Sequence, residues 1–135
     1  NIIMSSNESI QINNINGHFE LNGKNSVLKT TDTYILGEYI KGKFINIDGK
    51  NVIENLLATD QSLVNFKNKK VDMFSKKAVY NKEKNIIELF DNVKIISDGE
   101  TILGDHAIIN TLNESYKVNS QKSKKVKILI NNTDE

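Results

Sequence analysis

One pattern of residues occurs twice between positions 77 and 118, and it constrains the fold more than any single side chain. Ala78-Val79-Tyr80-Asn81, a polar turn over 82–85 and Ile86-Ile87-Glu88-Leu89 form the first copy. The second begins 29 positions later, as Ala107-Ile108-Ile109-Asn110, a turn over 111–114 and Ser115-Tyr116-Lys117-Val118. A fainter copy lies upstream, where Val64-Asn65 and a Lys/Asn-rich turn lead into Val71-Asp72-Met73. Each copy is a pair of short strands about a tight turn. Stacked repeats of such a unit predict a sheet that grows by addition, each unit burying its apolar face against the next. The pattern is that of a scaffold rather than of a pocket assembled around catalytic groups.

The chain contains no proline, so other residues must punctuate it. Asn, Asp, Gly and Lys do so at 22–25, 48–51, 67–70, 81–85 and 98–100, and Asn, Asp and Gly tolerate the left-handed backbone of tight hairpin turns. Between these points apolar residues alternate with period two and are rich in Ile, Val, Tyr and Phe, which predicts strands. The expected strands are 9–13, 18–21, 26–29, 34–36, 43–47, 51–54, 63–65, 71–74, 78–80, 86–89, 93–97, 101–103, 107–110, 116–119 and 125–130. Only 52–60 offers a stretch where a short helix competes. The expected class is all-β, in one domain over 1–135, with polar tails at 1–7 and 131–135 that fray.

Composition excludes several functions. The 18 basic and 17 acidic residues nearly cancel, so no global field draws the chain to nucleic acid. The aromatic residues are scattered rather than interleaved with a basic groove, which argues the same way. Every basic residue is Lys, so any phosphate contact is a point charge and not a bidentate clamp. With no Cys there is no thiolate nucleophile, disulfide or Cys-ligated metal. The two histidines, His18 and His106, have no nucleophile motif near them, and Asp105 and His106 are strand neighbours that point to opposite faces. Neither an enzyme nor a metal or other cofactor is expected.

Ser75-Lys76-Lys77-Ala78-Val79-Tyr80-Asn81, followed by Ile87-Glu88-Leu89-Phe90-Asp91-Asn92-Val93-Lys94-Ile95, resembles a recurring phrase of the OstA-like proteins, "G-D-x-A-x-Y … x-L-x-G-N-V-x-h". Gly104-Asp105-His106-Ala107-Ile108-Ile109-Asn110 renews its opening, and Lys125-Val126-Lys127-Ile128-Leu129-Ile130 resembles the closing basic-apolar strand. Residues 71–130 carry the resemblance; over 9–65 only the hairpin rhythm and Ile10 and Ile12 support it. These are the periplasmic lipopolysaccharide transport proteins: LptA, the periplasmic domain of LptC and the amino-terminal domain of LptD. The wording is nearer to LptA than to LptC. Two departures stand out: Asp91 replaces the usual Gly of the "G-N-V" turn, and Ser75-Lys76 replaces Gly-Asp. Asp tolerates positive φ better than most residues, so the turn survives.

The resemblance implies a twisted, open, V-shaped β-jellyroll of two facing antiparallel sheets, with an apolar groove that holds the acyl chains of lipid A. It implies a periplasmic location, with a signal peptide or anchor removed from a chain that begins at Asn1. It also implies partners: lipopolysaccharide, LptC and LptD-like jellyroll domains, and a second copy stacked head to tail. Alternation places Ile87, Leu89, Val93, Ile95, Ile102, Tyr116 and Val118 on one apolar face, with Glu88 and Lys117 opposite. That face is the expected lipid-binding surface, and the same residues serve equally well as a closed core in an adaptor that only links partner proteins. The strand with Lys125, Val126, Lys127 and Ile128 is the expected docking edge. Lysines at 67–70, 82–84 and 122–127 either meet lipid phosphates or guard strand edges from wrong pairing. Asn7, Asn113 and Asn131 begin formal glycosylation acceptor triplets, which a chain so rich in Asn produces by chance.

Overall fold

The computed structural model describes residues 1–120 and 125–131. Among these the chain forms ten strands and no helix: β1 (Ile3–Ser5), β2 (Ser9–Ile12), β3 (His18–Lys29), β4 (Thr33–Ile47), β5 (Lys50–Asn68), β6 (Val71–Asn81), β7 (Ile86–Ser97), β8 (Glu100–Asn110), β9 (Tyr116–Asn119) and β10 (Lys127–Ile130). All pairings are antiparallel, in the order β1-β3-β4-β5-β6-β7-β8-β10, with β2 also on β3 and β9 also on β8. β1 and β10 do not pair, so the sheet is open.

The fifteen short strands expected from the sequence are fewer and longer. Five of the expected breaks are bulges inside continuous strands, where the pairing register shifts: at 23–25 in β3, 37–38 in β4, 60–63 in β5, 75–76 in β6 and 91–92 in β7. Bulge and hairpin turn use the same residue types, because both need left-handed backbone. Asp48-Gly49 (φ 52 and 83) and Asp98-Gly99 (φ 45 and 84) are true two-residue turns, whereas Asn25 (φ 58), Asp91 (φ 68) and Asn92 (φ 53) lie at bulges. Asp91 thus adopts the left-handed backbone expected of it at that turn. Sequence alone does not separate the two cases, since the difference lies in which strand is the next partner. The competing helix at 52–60 is absent, because that segment pairs with both β4 and β6.

The bulges align along a crease that divides the sheet into two facing walls. The first wall contains β2, β9 and segments 18–22, 39–47, 50–59, 77–81, 86–90 and 106–110; the second contains β1, β10 and 26–29, 33–36, 64–68, 71–74, 93–97 and 100–103. Buried side chains of both walls form one cluster. Beside the crease, where the walls converge, small side chains recur among the inward positions: Ala58 and Ala78 are register partners, Ala107 follows across Leu89, and all three alanines are fully buried. Farther out, the second wall presents Leu28, Ile35, Phe66, Met73, Ile95 and Ile102 in one row. This gradient of side-chain size gives the interior its wedge-shaped section. Each bulge interrupts ladder hydrogen bonds, and buried hydroxyls supply partners: Ser26 Oγ donates to the Gly23 carbonyl at 2.7 Å and Ser75 Oγ to that of Lys77 at 2.8 Å.

Gly104 sits at the crease, where a Cβ would lie 2.4 Å from Val118 Cγ1 and 3.1 Å from the Asn119 carbonyl oxygen. Gly104→Ala is expected to cost about 1–3 kcal/mol through this overpacking, seen as a lower melting temperature; an unchanged one would show that β9 is not held against the crease.

The amino terminus is not a frayed tail. Ile3–Ser5 pair with Val27, Leu28 and Lys29, and Ile2 and Met4 pack against the core. Ser6 Oγ donates to the Asn22 carbonyl, so the link from β1 to β2 follows the same crease. Lys122 and Lys124, and the end of the expected tail at 132–135 with the last two residues of the final glycosylation triplet, lie outside the described residues.

Candidate functional site

The wedge is filled unevenly. In its carboxy-terminal half Leu89, Val93, Ile95 and Ile102 are at most 3% exposed and close the space between the walls. In its amino-terminal half the walls stand apart around a cavity of about 1060 Å³. The first wall lines it with Phe44, Val52, Ile53, Leu56, Tyr80 and Ile87, and the second with Ile2, Met4, Leu28, Ile35 and Phe66. Ile10 and Ile12 of β2 finish its outer end.

Strand length explains the difference. β4 and β5 have 15 and 19 residues, against 11 or 12 for β6, β7 and β8. On one side of their hairpin, pairing with β3 stops at Lys43; on the other, pairing with β6 stops at Asn55. The tip beyond those points is held by its own ladder and by two backbone hydrogen bonds, from the Phe44 amide to the Gly17 carbonyl at 3.0 Å and from the Lys82 amide to the Glu54 carbonyl at 2.9 Å. A register shift between Lys43 and Phe44 bends this tip, and Phe44 stacks on Phe19 at 6.3 Å between ring centroids. Tip residues Gly49, Lys50, Asn51, Val52 and Ile53 share the cavity with Thr30–Thr33, Asn68 and Lys69 of the opposite margin. Lys50 and Lys69, the latter beside Asp32, therefore stand on opposing polar rims of a space whose deeper walls are apolar.

Of the residues expected on the apolar face, Ile87 alone lines this cavity; Leu89, Val93, Ile95 and Ile102 are core, and Tyr116 and Val118 pack against it at the far end. Lys127 and Ile128 belong to β10, an edge strand with every residue exposed, and Lys125 and Val126 precede it. The sequence analysis did not single out Phe44, Ile53, Tyr80 or Met4 as site residues. The available signal was an imbalance: the apolar alternation on both sides of Asp48-Gly49 runs farther than any neighbouring strand could pair with it.

Three tyrosines have raised pKa values. Burial raises Tyr80. Tyr39 is raised first by donating its phenol hydrogen to Glu20, with burial adding to it. Tyr116 is pushed up to about 12, by burial and by its 2.6 Å hydrogen bond to Glu100 Oε1. A phenol whose folded pKa exceeds its unfolded value adds stability below the unfolded value, near 10, and loses it as pH rises through about 12. The urea midpoint of the protein should therefore fall between pH 10 and 12, and more gently in Tyr116→Phe; parallel curves for the two proteins would exclude the Tyr116 phenol as a source.

On the outer face of the first wall, His106 Nε2 lies 2.6 Å from Glu88 Oε2 and its Nδ1 lies 3.3 Å from Asn119 Nδ2. The ring packs beside Phe90, over which Lys77 is placed at 4.9 Å. His106 thus pairs with a carboxylate two strand positions from its register partner Phe90. A smaller recess of about 610 Å³ runs along β2 to β6 beside Gln11, His18, Glu20 and Lys41.

No curated protein matches the sequence. Among solved structures the chain is similar to LptH of Pseudomonas aeruginosa, described as the LptA-homologous periplasmic component of the conserved lipopolysaccharide transport device, with a TM-score of 0.79 at 15% identity over 98% of this chain and 96% of that one. At that identity the likeness establishes a shared fold, the open β-jellyroll. A model of the family described as OstA-like protein matches residues 50–124, more than half of the sequence, including both copies of the hairpin repeat and the longest strand of the groove. The chain belongs to the OstA-like family.

Proposed function

We propose that this protein is a non-enzymatic periplasmic carrier of lipopolysaccharide, which holds the acyl chains of lipid A in the amino-terminal groove and passes them to jellyrolls docked at its ends. The observation that carries the reading is the cavity of about 1060 Å³ between apolar walls. It matches the upper end of ligand pockets, about 300–1,000 Å³, in a fold whose interior is otherwise close-packed. Lys50 and Lys69 at its rims suit the phosphorylated head of lipid A as point charges. Membership of the OstA-like family and the fold shared with LptH support the same reading.

The ends support the stacking. An open sheet leaves unpaired backbone groups along its edge strands, normally an aggregation hazard. Here one end exposes Ile3, Ile10 and Ile12, and the other Val126, Ile128, Leu129 and Ile130. A matching jellyroll, either an LptC- or LptD-like domain or a second copy head to tail, covers both features by β-augmentation. The adaptor reading draws on the packed carboxy-terminal half alone, and leaves the groove without a role.

A photoreactive residue placed singly at Ile53, Tyr80 and the outward-facing Glu88 tests the carrier. Ultraviolet crosslinks to lipopolysaccharide are expected at Ile53 and Tyr80 and not at Glu88. A folded protein that crosslinks at none of them favours the adaptor.

A further inference from the structure

The groove ends at a hydrogen bond that joins the two walls across their open margin. Glu100 opens β8 two residues before Ile102, so it points inward at the rim of the second wall. Tyr116 opens β9 opposite Ile109, inward at the rim of the first. The Tyr116 hydroxyl donates to Glu100 Oε1 at 2.6 Å, a charge-assisted bond from one margin to the other. Behind it lie Ile87, Ile95, Ile102 and Ile109, at most 4% exposed. In the other half of the wedge, Thr33 and Asn68 on one margin and Ile53 and Tyr80 on the other face the cavity instead.

We propose that Tyr116 and Glu100 form a latch that clasps the walls at the carboxy-terminal end and holds them closed on the packed side chains that block the groove there, retaining the acyl chains until a neighbour docks. The inference rests on the carrier reading. Docking and latch are mechanically connected. Tyr116 is on β9, the edge strand of the first wall, and Glu100 pairs with Ile130 of β10, the edge strand of the second. A jellyroll that pairs with both edge strands fixes the spacing of the two walls at the latch. A neighbour with a wider wedge parts the bond and joins the two interiors into one passage, so both residues act by positioning the walls and neither needs to touch lipid.

Because the chain has no cysteine, spin labels can be placed without background. Lys94 and Lys117 are exposed and lie on opposite walls. In a Lys94→Cys, Lys117→Cys protein, electron–electron resonance should give one narrow distance. Tyr116→Phe and Glu100→Ala should each lengthen and broaden it, while Glu100→Gln, whose amide oxygen still accepts, should not. Fluorescent lipopolysaccharide loaded beforehand should leave Tyr116→Phe several-fold faster than the parent. If Tyr116→Phe and Glu100→Ala both fold, by circular dichroism, and keep the parent distance, the latch is overturned. A lengthened distance beside a parent protein that takes up no lipid would support the latch and sink the carrier.

Discussion

Replacing Ile53 by Glu is expected to abolish lipopolysaccharide uptake while leaving the fold intact. Ile53 lies on the β4–β5 tip, half-buried, with open space before it. In the empty groove a carboxylate there reaches water, so the stability cost should stay near the average for a point substitution, about 1 kcal/mol. Once acyl chains cover it, the charge must be stripped of water with no partner, at a cost of several kcal/mol. Every 1.4 kcal/mol is a factor of about ten in affinity, so a loss of at least about a hundredfold should follow. Lipid binding measured beside circular dichroism separates the two effects. A folded Ile53→Glu protein that binds as the parent does would remove the groove from the mechanism.

Leu89 should behave in the opposite way. It is fully buried in register between Ala78 and Ala107, behind the cavity rather than in it. Leu89→Ala is expected to lose about 2–5 kcal/mol, a large share of the about 5–15 kcal/mol that holds a typical domain together. Leu89→Asp adds an unpaired buried charge and should not fold. Urea denaturation followed by circular dichroism measures the first directly. A loss under about 1 kcal/mol would mean the carboxy-terminal half is not the dry core described here. Together the two positions divide one apolar face by role: Ile53 tests binding, and Leu89 tests folding.

That division could not be read from periodicity. Alternation reports which way a side chain points, and on that criterion Ile53, Ile87 and Leu89 are alike. Whether an inward side chain meets another side chain or empty space depends on how far the opposite wall lies. The distance between walls is set by residues remote in sequence, namely the small side chains near the crease and the overhang of β4 and β5 beyond β3 and β6. Tyr116 shows the same limit. Its inward direction follows from Val118, but its partner Glu100 comes from the other wall.

From its own residues the sequence determined an all-β chain of stacked hairpin units, the left-handed backbone positions at Asp48-Gly49 and Asp98-Gly99, and, through the repeated phrase around Tyr80 and Leu89, its family. These are local properties: period-two alternation and left-handed backbone need only near neighbours in the chain. Tertiary structure alone decided that 23–25, 60–63 and 91–92 are bends within strands, that the amino terminus is an edge strand, and that the open part of the wedge lies under the β4–β5 tip. Each depends on which strand pairs with which and for how many residues. Pairing of this kind is settled by the burial of whole faces, not by any stretch of sequence taken by itself.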